Sequence, residues 1–179
     1  LTKSERLVAE ANKIDLHPNE AVPADTSLLA DLAKVRDECA AKFKALPDSV
    51  ERNSALAALG RLGTPFLTKK VAHRIAMIEP TLGTVFPDLA WVAGLAIKCR
   101  NVFVHGPSSG FDIEKMERFS PFFTDALEFI FAASDLIEAG WDANRWKKSS
   151  YVGRHSFSSF RAGYAAELAE LKQAIKFTG

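Results

Sequence analysis

Apolar residues recur at spacings of three and four along most of the chain, and this pattern predicts helices. The clearest stretch covers residues 87–106. Seven apolar positions of this stretch share one face: Leu89, Val92, Leu95, Ala96, Cys99, Val102 and Phe103. Pro87 suits a first helical position, and Gly106 followed by Pro107 is typical of a helix end. The stretch therefore predicts a helix with one face in the core.

The same spacing predicts further helices on both sides of this stretch. They cover about residues 2–12, 25–46, 48–60, 65–78, 122–139 and 156–177. Capping boxes at Thr2–Glu5 and Asp48–Glu51 mark two of the helix starts, and Asp112 is expected to cap a short helix that ends near Phe119. Residues 80–86 are expected to form a loop. No segment alternates convincingly as a strand, so the sequence predicts an all-α bundle of about six to seven helices.

Each predicted helix carries an apolar stripe that should face the core. In the helix over 25–46 these positions are Leu28, Leu29, Leu32, Val35, Cys39 and Phe43. In the helix over 65–78 they are Phe66, Val71, Ile75 and Ile78. The helix over 122–139 is rich in phenylalanine, which makes it the expected packing partner of the helix over 87–106.

Length and composition fit one globular domain over residues 1–179, with 47% hydrophobic and 25% charged residues. No signal sequence and no apolar run of membrane-spanning length is recognisable. Cys39 and Cys99 are isolated and have no partners at metal-binding spacing. We therefore expect a cytoplasmic protein with reduced thiols and with no metal, cofactor or membrane contact. Because the chain begins at Leu1, a fragment of a longer protein is also an expectation.

The net charge of +1 argues against binding to nucleic acid through bulk charge, but the charges are unevenly distributed. Residues 60–105 carry six Lys and Arg against two Asp and Glu, and residues 141–179 carry seven against three. One basic group lies on the helix over 65–78: Lys69, Lys70, His73 and Arg74. This group indicates either a solvated helix face or a contact with an RNA backbone.

A second basic group, in residues 141–155, is interleaved with aromatic residues. It consists of Trp141, Arg145, Trp146, Lys147, Lys148, Tyr151, Arg154 and His155. Such a mixture can stack bases and hold phosphates. It is also typical of an amphipathic segment that lies over a helix bundle. As RNA-binding candidates we take Lys98, Lys147, Lys148, Arg154 and His155.

Four polar residues, Lys98, Arg100, Asn101 and His105, interrupt the end of the helix over 87–106. At about 100° per residue, Asn101 and His105 share a face and Arg100 stands to one side. An arginine can hold phosphate oxygens bidentately, and a histidine can exchange protons near neutral pH. The set therefore indicates chemistry on a phosphodiester. An Arg and a His at a helix C-terminus could instead simply satisfy its last carbonyls.

Arg100, Asn101 and His105, at the end of a helix in an all-helical chain, resemble the R-x4-6-H signature of HEPN domains. Residues 63–70 and the helix after the motif are most similar to the HEPN domain of ApeA-type abortive-infection proteins. The resemblance covers roughly residues 26–140. Residues 141–179 would then add a C-terminal basic and aromatic segment and a closing helix.

The resemblance implies a metal-independent endoribonuclease of toxin or anti-phage defence, built as a symmetric homodimer with two motif copies in one composite site. It also implies an RNA substrate and control by an antitoxin or a sensor domain. In RNA the ribose 2′-hydroxyl can attack the adjacent phosphorus, leaving a 2′,3′-cyclic phosphate and a 5′-hydroxyl. His105 would move the proton, Arg100 would stabilise the charge on phosphorus, and Asn101 would orient one of these groups.

Other catalytic constellations are missing from the sequence, including a glycine-rich phosphate loop and zinc-protease or serine-hydrolase motifs. Two alternatives to an enzyme stay open. One is an RNA- or nucleotide-binding HEPN module that does not cleave, and the other is a helical dimerisation domain.

Overall fold

Nine helices, and no strand, occur in the part of the chain that the structure describes. The structure is a computed structural model, and it describes residues 2–16, 22, 26–106, 111–149 and 155–176. The helices are α1 (Lys3–Asp15), α2 (Thr26–Lys44), α3 (Val50–Gly60), α4 (Leu67–Leu82), α5 (Leu89–His105), α6 (Ile113–Glu117), α7 (Ser120–Glu138), α8 (Ala143–Lys148) and α9 (Ser156–Lys176). The all-α prediction is confirmed. The expected count of six to seven helices is too low. The short helix expected after Asp112 is α6, whereas α8, with six residues, is too short to show a periodic pattern.

The chain forms two compact units. The larger unit contains residues 1–17 and 67–179, and the smaller contains residues 18–66. In the larger unit α7 is central and packs against α1, α4, α5 and α9. The predicted packing of this phenylalanine-rich helix against the helix over 87–106 is therefore confirmed. No helix within the described ranges is both long and apolar enough to cross a membrane.

An aromatic cluster fills the core of the larger unit between α7 and α9. The Phe86 ring lies 4.5 Å from that of Phe129 and 5.1 Å from that of Tyr164, edge-on to the latter. Tyr164 is fully buried, and its hydroxyl donates to the carbonyl oxygen of Pro87 at 2.7 Å. Edge-on and tilted ring pairs stabilise beyond the apolar area that they bury. The cluster therefore fixes the turn that leads into α5.

The start of α5 differs from the prediction and its end agrees. The helix begins at Leu89, after Asp88 in a left-handed conformation with φ 59°, so Pro87 is not its first residue. α9 holds this turn, since Lys172 donates to the Asp88 carboxylate at 2.6 Å. At the other end Gly106 has φ 89°, and its N–H bonds the carbonyl of Val102. Glycine is suited to that backbone because it has no side chain to clash.

Helix α4 also differs from the prediction, because it runs from Leu67 through Pro80 to Leu82. Pro80 has no N–H to bond the carbonyl of Ala76, and its ring crowds that carbonyl, yet the helix continues for two more residues and so covers the start of the expected loop. Before α4, the Thr64 hydroxyl donates to the carbonyl of Arg61 at 2.8 Å, in the turn after α3. Phe66 was expected in the core and is 77% exposed.

The smaller unit is a hairpin of α2 and α3, and its expected core is not buried. Leu28 is 52% exposed and Val35 is 51% exposed, and no residue of α3 is buried. Within this unit each helix has only the other to pack against, and two helices cannot enclose a side chain. The predicted capping box also shifts by one residue, since Ser49, rather than Asp48, caps α3 by accepting from the N–H of Arg52.

Candidate functional site

Arg100 lies near the end of α5 and is held by two side-chain amides. Its Nη2 donates to Oδ1 of Asn12 on α1 at 2.8 Å, and its Nη1 donates to Oδ1 of Asn101 at 3.1 Å. The two acceptors take different terminal nitrogens, so they restrain the plane of the guanidinium. The local sequence explains Asn101, which follows Arg100 directly. Nothing in the sequence pattern singles out Asn12, which is 88 positions away.

The Nε of Arg100 is shielded from solvent and has no hydrogen-bond partner within the described residues. Arginine carries five N–H groups, one on Nε and two on each terminal nitrogen. With one hydrogen of each terminal nitrogen given to an amide, one on each remains. Nη1 and Nη2 are therefore the atoms through which Arg100 can bind an anion. Its side chain is half-buried, so such an anion would be partly desolvated.

His105 is the last residue of α5 and is exposed. Among the described residues, its ring makes no hydrogen bond or ion pair with the protein. In the described part of the chain, no hydrogen bond runs from the side chain of His105 or Arg100 to one of the last carbonyls of α5. Asn101 and Lys98 are exposed on the same helix. The four predicted residues thus lie within the last two turns of α5, but no described hydrogen bond joins Asn101 or Arg100 to His105.

In the basic and aromatic segment over 141–155, the described residues 141–149 pack against the core through Ala143 and two half-buried tryptophans. The ring centroid of Trp146 lies 6.4 Å from that of Phe86 and 6.3 Å from that of Phe129. Lys147 donates to the carbonyl of Thr81 and, at 2.7 Å, to the hydroxyl of Thr84. The described part of this segment lies over the bundle, as one of the two interpretations of its sequence expected. Lys147 is therefore committed to the end of α4.

The other predicted RNA-binding residues differ in how free they are. Lys148 is exposed and has no described partner. His155 precedes α9, where its Nδ1 accepts from the backbone N–H of Phe157 at 3.2 Å. Tyr151 and Arg154 lie outside the described residues. Sequence reasoning missed Arg161, which donates to the carbonyls of Trp146, Lys147 and Ser149 and thereby closes α8.

Two members of the basic group on α4 are buried, so they form neither a solvated helix face nor a free contact for RNA. Lys70 and Arg74 are each 5% exposed. Lys70 donates to the carbonyl of Asp15, which ends α1. Arg74 donates to the Ser134 hydroxyl and to the Asp135 carboxylate, both at 2.6 Å. Both cations tie α4 to its neighbours, so both interpretations of this group were wrong for Lys70 and Arg74.

An acidic groove between α7 and α9 is a second polar feature of the larger unit. Its cavity of about 280 Å³ has an aromatic floor and is lined by Asp125, Glu128 and Glu167. Burial raises the pKa of Asp125, while the nearby charge of Arg6 lowers it. Burial, followed by the charges of Glu170 and Asp125, raises the pKa of Glu167. The carboxylates of this groove repel phosphate, so the groove does not suit the kind of ligand that Arg100 would bind.

Comparison of the chain with models of known protein families gave no match, and comparisons with curated proteins and with solved structures gave none either. The resemblance to HEPN domains therefore depends on the motif and its helical setting alone. Within the described residues, no group of three or more His, Cys, Asp or Glu is placed to hold a metal ion.

Proposed function

We propose that the chain is a metal-independent endoribonuclease of the HEPN type, with Arg100 and His105 as its catalytic residues and Asn101 beside them. The observation that carries the proposal is the presentation of these side chains on one exposed helix end. Arg100 is held by amides with a hydrogen left on each terminal nitrogen, and His105 has no described partner. A restrained cation and an accessible imidazole suit a reaction that needs charge stabilisation and proton transfer.

RNA is the substrate that such a small set of residues can cleave. The 2′-hydroxyl supplies an internal nucleophile next to the scissile phosphorus, so the protein need not provide one. Arg100 would stabilise the negative charge that develops on the phosphoryl oxygens. His105 would take the 2′ proton or give a proton to the leaving 5′-oxygen. DNA lacks the 2′-hydroxyl and should resist cleavage.

One chain offers only one His105, whereas the reaction uses both a base and an acid. We propose that a symmetric homodimer brings two motif copies to a common axis, so that one His105 takes a proton while the other gives one. Control by an antitoxin or a sensor domain, in toxin or anti-phage biology, belongs to the same proposal and is supported by the resemblance alone.

RNA binding without cleavage is a second candidate, and one observation favours it. Among the described residues no hydrogen bond joins His105 to Arg100 or Asn101, so no described contact orients the imidazole. A binding module would use the same Arg100 surface together with Lys98 and Lys148, and it would leave its RNA intact.

The experiment that separates cleavage from binding varies the nucleic acid and keeps the wild-type protein. Purified wild type is incubated in EDTA with an end-labelled random-sequence RNA, with the matching DNA, and with RNA carrying 2′-deoxy residues throughout one half. The proposal predicts cuts in RNA only, none after a 2′-deoxy nucleotide, and 2′,3′-cyclic phosphate ends. RNA that is retained on the protein but left uncut would favour the binding module. Cleavage of DNA would contradict the 2′-hydroxyl mechanism.

A further inference from the structure

We infer that Asn12 is a positioning residue for Arg100, and that it sets the orientation from which the two terminal nitrogens meet a phosphate. This inference rests on the proposed function. Asn12 comes from α1, outside the helix that carries the motif, and its Oδ1 accepts from Nη2 of Arg100 at 2.8 Å. Through this bond the first helix of the chain takes part in the site.

The position of Asn12 is fixed by the packing of α1. Ala11 and Ile14, on either side of it in the sequence, are fully buried, and so is Leu7 one turn earlier. α1 packs against both α5 and α7. Although the Asn12 side chain is exposed, its backbone is fixed by these buried neighbours, so the amide reaches Arg100 from a fixed point on α1.

Asn101 alone would not give the same restraint. It is the neighbour of Arg100 on α5, so it moves with the same helix end and holds only Nη1. An unrestrained arginine side chain samples many rotamers, and ordering it during the reaction costs free energy. Two acceptors on separate helices remove most of that cost in advance. With Nε already shielded, they also leave Nη1 and Nη2 as the phosphate-binding pair.

The effect of losing Asn12 should be that of losing one hydrogen bond to a charged group. We expect Asn12→Ala to lower kcat/KM for RNA about 10-fold. Asn12→Asp keeps an acceptor oxygen in the same place but adds a negative charge near the phosphate. It should recover kcat towards the wild-type value while raising KM, because the carboxylate competes for Arg100 and repels the substrate.

A matched control lies one residue further along α1. The Lys13 side chain is 53% exposed and pairs with the largely buried Glu10 carboxylate at 2.7 Å. Lys13→Ala therefore removes one ion pair from the same turn of α1 without a contact to Arg100. Cleavage of the end-labelled random-sequence RNA is measured for all four proteins well below their melting temperatures. Nitrogen-15 NMR spectra of the Arg100 guanidinium are recorded as well, since restricted rotation separates the signals of its terminal nitrogens.

We expect full activity for Lys13→Ala, reduced activity and averaged guanidinium signals for Asn12→Ala, and a kcat recovered by Asn12→Asp. If the wild type cuts and Asn12→Ala cuts equally well, the inference is overturned while the proposed function stands. It is also overturned if Asn12→Ala and Lys13→Ala lose activity equally, because Asn12 would then only stabilise α1. A wild type that cuts none of the RNA overturns the proposed function and the inference together.

Discussion

Replacing Arg74 with alanine should destabilise the protein without changing its interaction with RNA. Arg74 is 5% exposed and lies between α4 and α7. Its guanidinium donates to the Ser134 hydroxyl and the Asp135 carboxylate at 2.6 Å, and to the carbonyl of Phe131 at 3.3 Å. It also lies over the Phe131 ring, 5.2 Å from the centroid. The substitution removes this whole set of contacts between the two helices.

The magnitude follows from what the removed side chain leaves behind. A hydrogen bond to a charged group stabilises by about 1.5–3 kcal/mol. The side chain of Asp135 is 40% exposed, so water can replace part of its interaction, and the Ser134 hydroxyl keeps its bond to the carbonyl of Ile130. The free energy of unfolding should therefore fall by about 2–4 kcal/mol. This overlaps the lower part of the range for removing one partner of a fully buried ion pair. For a chain of this size that corresponds to a melting temperature lower by about 5–15 °C.

Thermal unfolding followed by circular dichroism measures this directly for Arg74→Ala and Arg74→Met. The methionine variant should recover part of the loss, because it restores the apolar contacts of the arginine stem. Lys69→Ala is the matched control, since Lys69 is an exposed lysine on the same helix. The reasoning is refuted if Arg74→Ala melts with the wild type but binds RNA more weakly than Lys69→Ala does.

Three further outcomes are expected. Lys147→Met should melt earlier with unchanged RNA affinity, whereas Lys148→Glu should weaken RNA binding at an unchanged melting temperature; the opposite assignment would contradict the placement of Lys147 at the end of α4. Burial raises the pKa of the Cys99 thiol to about 11, so at pH 8 roughly one Cys99 in a thousand is a thiolate, and iodoacetamide followed by mass spectrometry should label Cys39 long before Cys99. The pKa of Glu167 is raised from its ordinary value of 4.5, which means that folding favours the neutral carboxyl. The stability that this group contributes is therefore lost as the pH rises from 4.5 through the raised pKa. Glu167→Gln should raise the melting temperature at pH 7, and this gain should disappear below pH 4.5.

Local signals explain most of what the sequence predicted correctly. Thr2 and Glu5 do form the capping box of α1, Asp112 caps α6, and Gly106 ends α5 with a positive φ. Each of these depends on residues within one helical turn, so it can be recognised without knowing the fold. The helix that carries Arg100 and His105 could be predicted for the same reason, because its apolar spacing and its terminal glycine are local signals.

Long-range packing explains what the sequence did not predict. The apolar spacing of α4 does not reveal that Lys70 contacts the end of α1 or that Arg74 contacts α7. The bond between Asn12 and Arg100 likewise joins distant helices. The exposed Leu28 shows the reverse error, since its spacing is that of a buried stripe while the hairpin cannot enclose it. Periodicity tells which face of a helix is apolar, and only the packing tells what covers that face.

The central claim is that His105 performs metal-independent cleavage of RNA, and one comparison tests it most directly. Wild type, His105→Ala and the matched control His73→Ala are incubated in EDTA with the end-labelled random-sequence RNA, and light scattering gives the mass of each protein. Wild type and His73→Ala should cut the RNA to cyclic phosphate ends, and a His105→Ala protein of the same mass and melting temperature should not cut it. Undiminished cutting by His105→Ala, or cutting by none of the three, would contradict the central claim.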